Sequence, residues 1–147
     1  MGLNEDDIRQ WPDEDGWHRH PQSGHRVRTG DDLDLGEAVS IGNGVTFGDG
    51  VTVGDGVSLG DDVTLGDGAY LGHRVRVAAG VHVGDGVEVG DDATLGSRVR
   101  IGDGATLGAR VAVGDGARIG DGADVADGVR LADGAIVPDG SSVAGAA

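Results

Sequence analysis

The sequence predicts an all-β protein built as a parallel β-solenoid, and three observations carry that reading. From Leu35 to Val143 an aliphatic or aromatic residue recurs at every sixth position without a missed step, as in Leu35, Ile41, Phe47, Val53 and Leu59. A small residue, nearly always Gly or Ala, follows each of these positions. Between them lie corner pairs such as Asp-Gly. A repeat this short cannot bury its own apolar face and must stack on its neighbours, which gives a one-dimensional architecture.

Each hexapeptide reads as one short strand and one corner. In Val51-Thr52-Val53-Gly54-Asp55-Gly56, alternation turns Val51 and Val53 inward and Thr52 outward, and three such strands close a triangle. The second corner residue is expected at positive φ, which suits Gly50, Gly56, Gly68 and Gly80 and is tolerated by Asp62 and Asp92. Arg74, Arg98 and Arg110 fit that position less well and carry strain there. The first thirty-two residues lie outside the register, so the chain divides into an N-terminal cap segment, 1–32, and a solenoid, 33–147. A solenoid end exposes strand edges and core groups and needs a cover, for which Ile8, Trp11 and Trp17 are the apolar candidates.

Composition narrows the function classes. The chain of 147 residues has the size of one domain, and the absence of Cys excludes disulfides, thiolate metal sites and a Cys nucleophile. Its 26 acidic residues against 11 basic ones, all Arg, give a net charge of -15, which repels nucleic acid and anionic membranes. Mimicry of nucleic acid by the acidic rod fails on charge density, which is about half that of duplex DNA. The N-terminal Met-Gly-Leu-Asn-Glu-Asp-Asp lacks the basic and apolar regions of a signal peptide, and no apolar run reaches membrane-spanning length. The expected location is cytoplasmic.

The hexapeptide motif, from Leu35 through Val143, resembles that of the hexapeptide-repeat superfamily, the bacterial transferase hexapeptide family. The resemblance implies a left-handed parallel β-helix of triangular section, with eighteen residues in each of about six uninterrupted coils that rise about 4.8 Å apiece. Handedness follows from the resemblance alone, because parallel crossovers are ordinarily right-handed. Stacking at that spacing sorts the outward residues into three columns. The first holds Asp34, Thr52, Tyr70, Glu88, Thr106, Asp124 and Ser142, and the second Ser40, Ser58, Arg76, Thr94, Ala112 and Arg130. The third holds Thr46, Thr64, His82, Arg100, Arg118 and Ile136. Every Arg of the solenoid avoids the first column, an asymmetry that suggests a partnered side.

Two groups of residues are candidate metal ligands. Asp49, Asp67, Asp85, Asp103, Asp121 and Asp139 form an uninterrupted corner column whose like charges, about 4.8 Å apart, call for solvent, screening or bridging cations. Carboxylate oxygens of this kind suit Ca²⁺, the one cofactor the sequence suggests. In the cap, His18, His20 and His25 could hold a metal, His-x-His placing two imidazoles on one side of a strand.

Relatives in the superfamily include trimeric acyltransferases, in which a His general base at a subunit boundary activates an acceptor hydroxyl or amine. There a long loop and a C-terminal helix shape the acyl-CoA groove. This sequence shows neither, and its solenoid contains only His73, at a corner, and His82, on a strand, as candidate bases. A γ-class carbonic anhydrase would need three zinc-binding His, and the rod has two. The unbroken register therefore points to a non-catalytic structural or interaction solenoid: a rigid spacer, tip or self-assembling scaffold. Its expected partners are itself, as a trimer or end-to-end stack, and another protein. The alternative is a trimeric acyl-CoA-dependent acyltransferase.

Overall fold

The computed structural model describes residues 13–14, 17–19, 26–30 and 32–144, and every regular element among them is a strand. No helix among them is long and apolar enough to cross a membrane. β1 (Asp13–Glu14), β2 (Trp17–Arg19) and β3 (Arg26–Arg28) come first. β4 (Asp34–Leu35), β5 (Ser40–Ile41) and β6 (Val45–Phe47) then form three sides of the rod, and this round repeats to Ser142–Val143. Each strand pairs in parallel with its counterpart one coil on: Leu35 lies opposite Val53, Ile41 opposite Leu59 and Phe47 opposite Leu65.

Three parallel sheets result, wrapped as the faces of a left-handed β-helix. Face one contains β4, face two β5 and face three β6, and their outward residues are the three columns expected from the eighteen-residue spacing. Inward residues stack into a dry aliphatic core. On face three, Val45, Val63, Val81, Val99 and Ala117 are fully buried beside Phe47, Leu65, Val83, Ile101 and Ile119, and no polar or charged side chain of the described residues is buried. Burial of this kind supplies the main favourable energy of the rod.

Corners are held by bonds between coils. The second corner residue has positive φ throughout, and Arg74, Arg98 and Arg110 adopt it at 60°, 58° and 59°. The first corner residue, usually Asp, turns Oδ1 back to accept the backbone N–H of its counterpart one coil earlier, as Asp85 does from Asp67 at 2.8 Å. The glycine before the corner makes this approach possible. A Cβ on Gly66 would stand 2.6 Å from the backbone carbon of Gly84, a clash no side-chain movement relieves.

β3 pairs in parallel with β6, Val27 opposite Val45 and Arg28 opposite Thr46, so the ladder starts one strand ahead of the boundary drawn at residue 33. The hexapeptide count passes over this strand because Thr29 stands where an aliphatic residue is expected, although Val27 keeps its buried place. β2 turns back antiparallel on β3, and β1 on β2, which covers the first edge of face three. Trp17 lies in β2; Ile8 and Trp11 fall outside the described residues.

Leu95, 1% exposed in the middle of the rod, tests the inward assignment. Leu95→Asp is expected to lower stability by about 4 kcal/mol or more, since it places a carboxylate among stacked aliphatics. Chemical denaturation of the two proteins gives the difference directly.

Candidate functional site

Face three carries the most distinctive surface. Parallel pairing sets His82 between Thr64 and Arg100, and Arg100 beside Arg118, which is followed by Ile136. Strand alternation turns all of these outward because Val83, Ile101, Ile119 and Val137 take the core positions. A groove of about 750 Å³ runs along this face, lined by His82, Arg100, Arg118, Ile136, Pro138 and Asp139 among others. Ile136 is 73% exposed, an apolar residue one coil on from Arg118. No carboxylate of the described residues is in ion-pair range of Arg100 or Arg118. The face thus presents two uncommitted cations, an imidazole and an apolar lip, which is chemistry suited to a ligand with both anionic and apolar parts.

His73 lies elsewhere, at the corner between faces one and two. Its ring Nδ1 accepts the backbone N–H of Asp55 at 2.9 Å, and the backbone N–H of His73 donates to Asp91 Oδ1 at 2.8 Å. Asp55 Oδ2 stands 3.8 Å from the same Nδ1. An Nδ1 that accepts has no proton to pair with a carboxylate, so the shorter contact defines this state, with the ring proton on Nε2. His73 and His82 therefore occupy different sides of the triangle, and no single-chain site contains both.

At the same corner Arg74 grips Asp92 with both forks, Nε to Oδ1 at 2.8 Å and the second nitrogen to Oδ2 at 3.1 Å. Both residues have positive φ, so the pair offsets the strain of two non-glycine residues in one column. The hydrogen bond from Arg74, then its charge and that of Arg110, holds the Asp92 carboxyl below its ordinary value.

Along the Asp49–Asp139 corner the carboxylates serve the backbone. Oδ1 of Asp67, Asp85, Asp103, Asp121 and Asp139 each accepts the N–H of the Asp one coil earlier. Among the described residues no three His, Asp or Glu side chains converge to hold a metal ion. His18 lies in β2 opposite Asp13 and Val27, whereas His20 and His25 are outside the described residues. Arg100 and Arg118 were visible in the sequence as members of a column but not as a site; what was missing was the groove and the lack of partnering carboxylates. The contact between His73 and Asp55 had a signal too, their separation of one coil.

Comparisons with known proteins bear on this geometry. Two family models match, one described as bacterial transferase hexapeptide (six repeats), at residues 62–101, and one as hexapeptide repeat of succinyl-transferase, at residues 38–73 and 98–132. No curated protein sequence matches this chain. Among solved structures, the acetyltransferase domain of PglB from Neisseria gonorrhoeae is 29% identical with a TM-score of 0.67, over 81% of this chain and 54% of that one. A GDP-perosamine N-acetyltransferase from Caulobacter crescentus, with CoA and GDP-perosamine bound, is 24% identical with a TM-score of 0.47, over 71% of this chain and 53% of that one. This second likeness is too distant to bear on chemistry. The chain spans about half the length of each of these two solved structures.

The expectation of a non-catalytic scaffold is overturned by the likeness to the PglB acetyltransferase domain and by the transferase family models. That expectation took an unbroken run of coils as a sign that no site exists. The inference fails physically, because a site completed by a neighbouring subunit requires no loop within the chain that supplies one wall.

The Arg74–Asp92 pair has a pH signature. A carboxyl held below its ordinary value near 3.8 contributes stability above that value and loses it as pH falls through the lower folded value. Asp92→Asn is therefore expected to melt lower than the parent at pH 7, with the gap closing below about pH 3.8. Thermal melts of both proteins from pH 7 to pH 2.5 follow it.

Proposed function

We propose that this chain, which belongs to the hexapeptide-repeat superfamily, acts as the catalytic rod of an acyltransferase that moves an acyl group from acyl-CoA to an acceptor amine or hydroxyl. The observation that carries this reading is the likeness to the PglB acetyltransferase domain across most of the chain. The groove of face three supports it. Arg100 and Arg118, with no carboxylate of their own, suit the phosphates of the donor; Ile136 and Pro138 suit its less polar arm.

His73 is assigned as general base, because its imidazole is held in place by a neighbouring residue, Asp55, whose backbone N–H bonds Nδ1 and whose carboxylate stands 3.8 Å from the same nitrogen. It takes the acceptor's proton as the acceptor nitrogen or oxygen attacks the thioester carbonyl. Collapse of the tetrahedral intermediate breaks the C–S bond, and the proton passes from His73 to the departing thiolate. His82 lines the donor groove and contributes a hydrogen bond there.

His73 and the groove lie on different sides of one rod, so the reaction requires a second copy to bring one chain's corner against another chain's face three. Self-association is thus part of the proposal, with the trimer as its closed form.

Isothermal titration with acetyl-CoA is expected to give saturable micromolar binding, weakened roughly tenfold by Arg100→Ala or Arg118→Ala. Thiol release from acetyl-CoA with glucosamine as acceptor probe should fall about a hundredfold in His73→Asn. Absence of both binding and transfer would remove the enzymatic reading. Size-exclusion chromatography with light scattering is expected to give a multiple of the 14.7 kDa chain mass. A single-chain mass at every concentration would exclude a site shared between copies.

A further inference from the structure

The corner that holds His73 has a regular construction from which His73 departs in one respect. In this column Asp55 Oδ1 accepts the N–H of Glu37, Asp91 Oδ1 that of His73 and Asp127 Oδ1 that of Ala109, each at 2.8 Å. His73 continues the series with Nδ1 in the carboxylate's place, 2.9 Å from the N–H of Asp55. An imidazole differs from a carboxylate in having a single proton to place. While Nδ1 accepts, Nε2 carries the proton and is a donor, which leaves the ring unable to act as a base through its outward nitrogen.

Asp55 holds the means of reversing this. Its Oδ1 is engaged by Glu37, but Oδ2 is 3.8 Å from His73 Nδ1, and a movement of about 1 Å closes an Nδ1–H···Oδ2 bond. The backbone N–H of Asp55 gives up its acceptor in that state, at an exposed corner where water replaces it. No neighbour competes for the role. Asp91 is bound to the backbone of His73 on the side of the next coil, and Arg74, the next residue in the chain, is bound by both forks to Asp92.

The geometry points to Asp55 as a positioning residue, the carboxylate that accepts a hydrogen bond from Nδ1–H of His73 and so leaves Nε2 unprotonated to receive the acceptor's proton. This rests on His73 being the base, as proposed above. In the step the acceptor's N–H or O–H bond breaks, its electron pair stays on the attacking atom, and the proton passes to Nε2. The Nδ1–H bond to Asp55 persists, and Asp55 remains ionised. Two tautomers of one ring thus correspond to a resting corner and a competent base.

Side-chain ¹⁵N shifts of the histidines in the full chain read the tautomer of His73 directly. The parent is expected to show a population protonated on Nδ1 that vanishes in Asp55→Asn, because the amide keeps its oxygen for Glu37 and turns an NH₂ donor toward Nδ1. Asp61→Asn makes the same change where the carboxylate accepts only the N–H of Asn43, and it measures the cost to folding alone. Asp55→Asn should melt like Asp61→Asn yet lower kcat for thiol release from acetyl-CoA by about tenfold or more, with KM little changed. Asp55→Glu should recover part of the loss.

Identical ring shifts in the parent and Asp55→Asn would overturn the positioning role, and so would a changed tautomer with an unchanged kcat. Full activity in His73→Asn would instead remove the base assignment, while the ring shifts would still decide whether Asp55 sets the tautomer.

Discussion

The stacking of each residue on its counterpart one coil away is the constraint on which the rest of this structure depends. It places the aliphatic residues in buried columns and lets each corner carboxylate reach the N–H of the preceding coil. Because glycine clears the way at positions such as Gly66, backbone and side chain are fitted together at the same points. The Asp column owes its regularity to this. Asp residues about 4.8 Å apart would repel in isolation, but from Asp67 to Asp139 each Oδ1 accepts an N–H from the preceding coil, so hydrogen bonds help to hold the corner.

The same stacking sorts charge. Outward residues of face one include Asp34, Glu88 and Asp124 and no cation, whereas those of face three include Arg100 and Arg118 and, from Thr46 to Ile136, no carboxylate. In a chain of net charge -15 a cationic groove of this kind is a local exception, set by a choice of residue at every eighteenth position. An unbroken rod can therefore carry a chemically specific surface without any departure from its regular backbone.

Much of the fold was legible because its period is written in every hexapeptide. The faces, the inward residues and the positive φ of Arg74, Arg98 and Arg110 follow from counting. Counting fails where one residue breaks the series: Thr29 hid the strand β3, although Val27 is buried as the core requires. The candidate site was legible only in part. His73 and His82 were found by residue type, but a nitrogen's hydrogen-bond partner depends on which side of a corner the ring lies, and no periodicity specifies that. The catalytic question was misread for a related reason. Regularity was taken as a property of function when it describes only the backbone, and a wall contributed by another copy leaves no trace in one chain's repeat.

Fold and site have different tolerances to changes in chain length. Removal of one hexapeptide between His82 and Arg100 would leave every aliphatic residue pointing inward, since the backbone repeats after six positions. It would also turn all that follows by one side of the triangle, so that Arg100 took the place of Thr94 on face two, away from His82. Only the loss or gain of a whole coil preserves the columns. Insertions and deletions of six residues are silent for folding and disruptive for the groove, so the length of this rod can drift in small steps only if its surface chemistry is free to be lost.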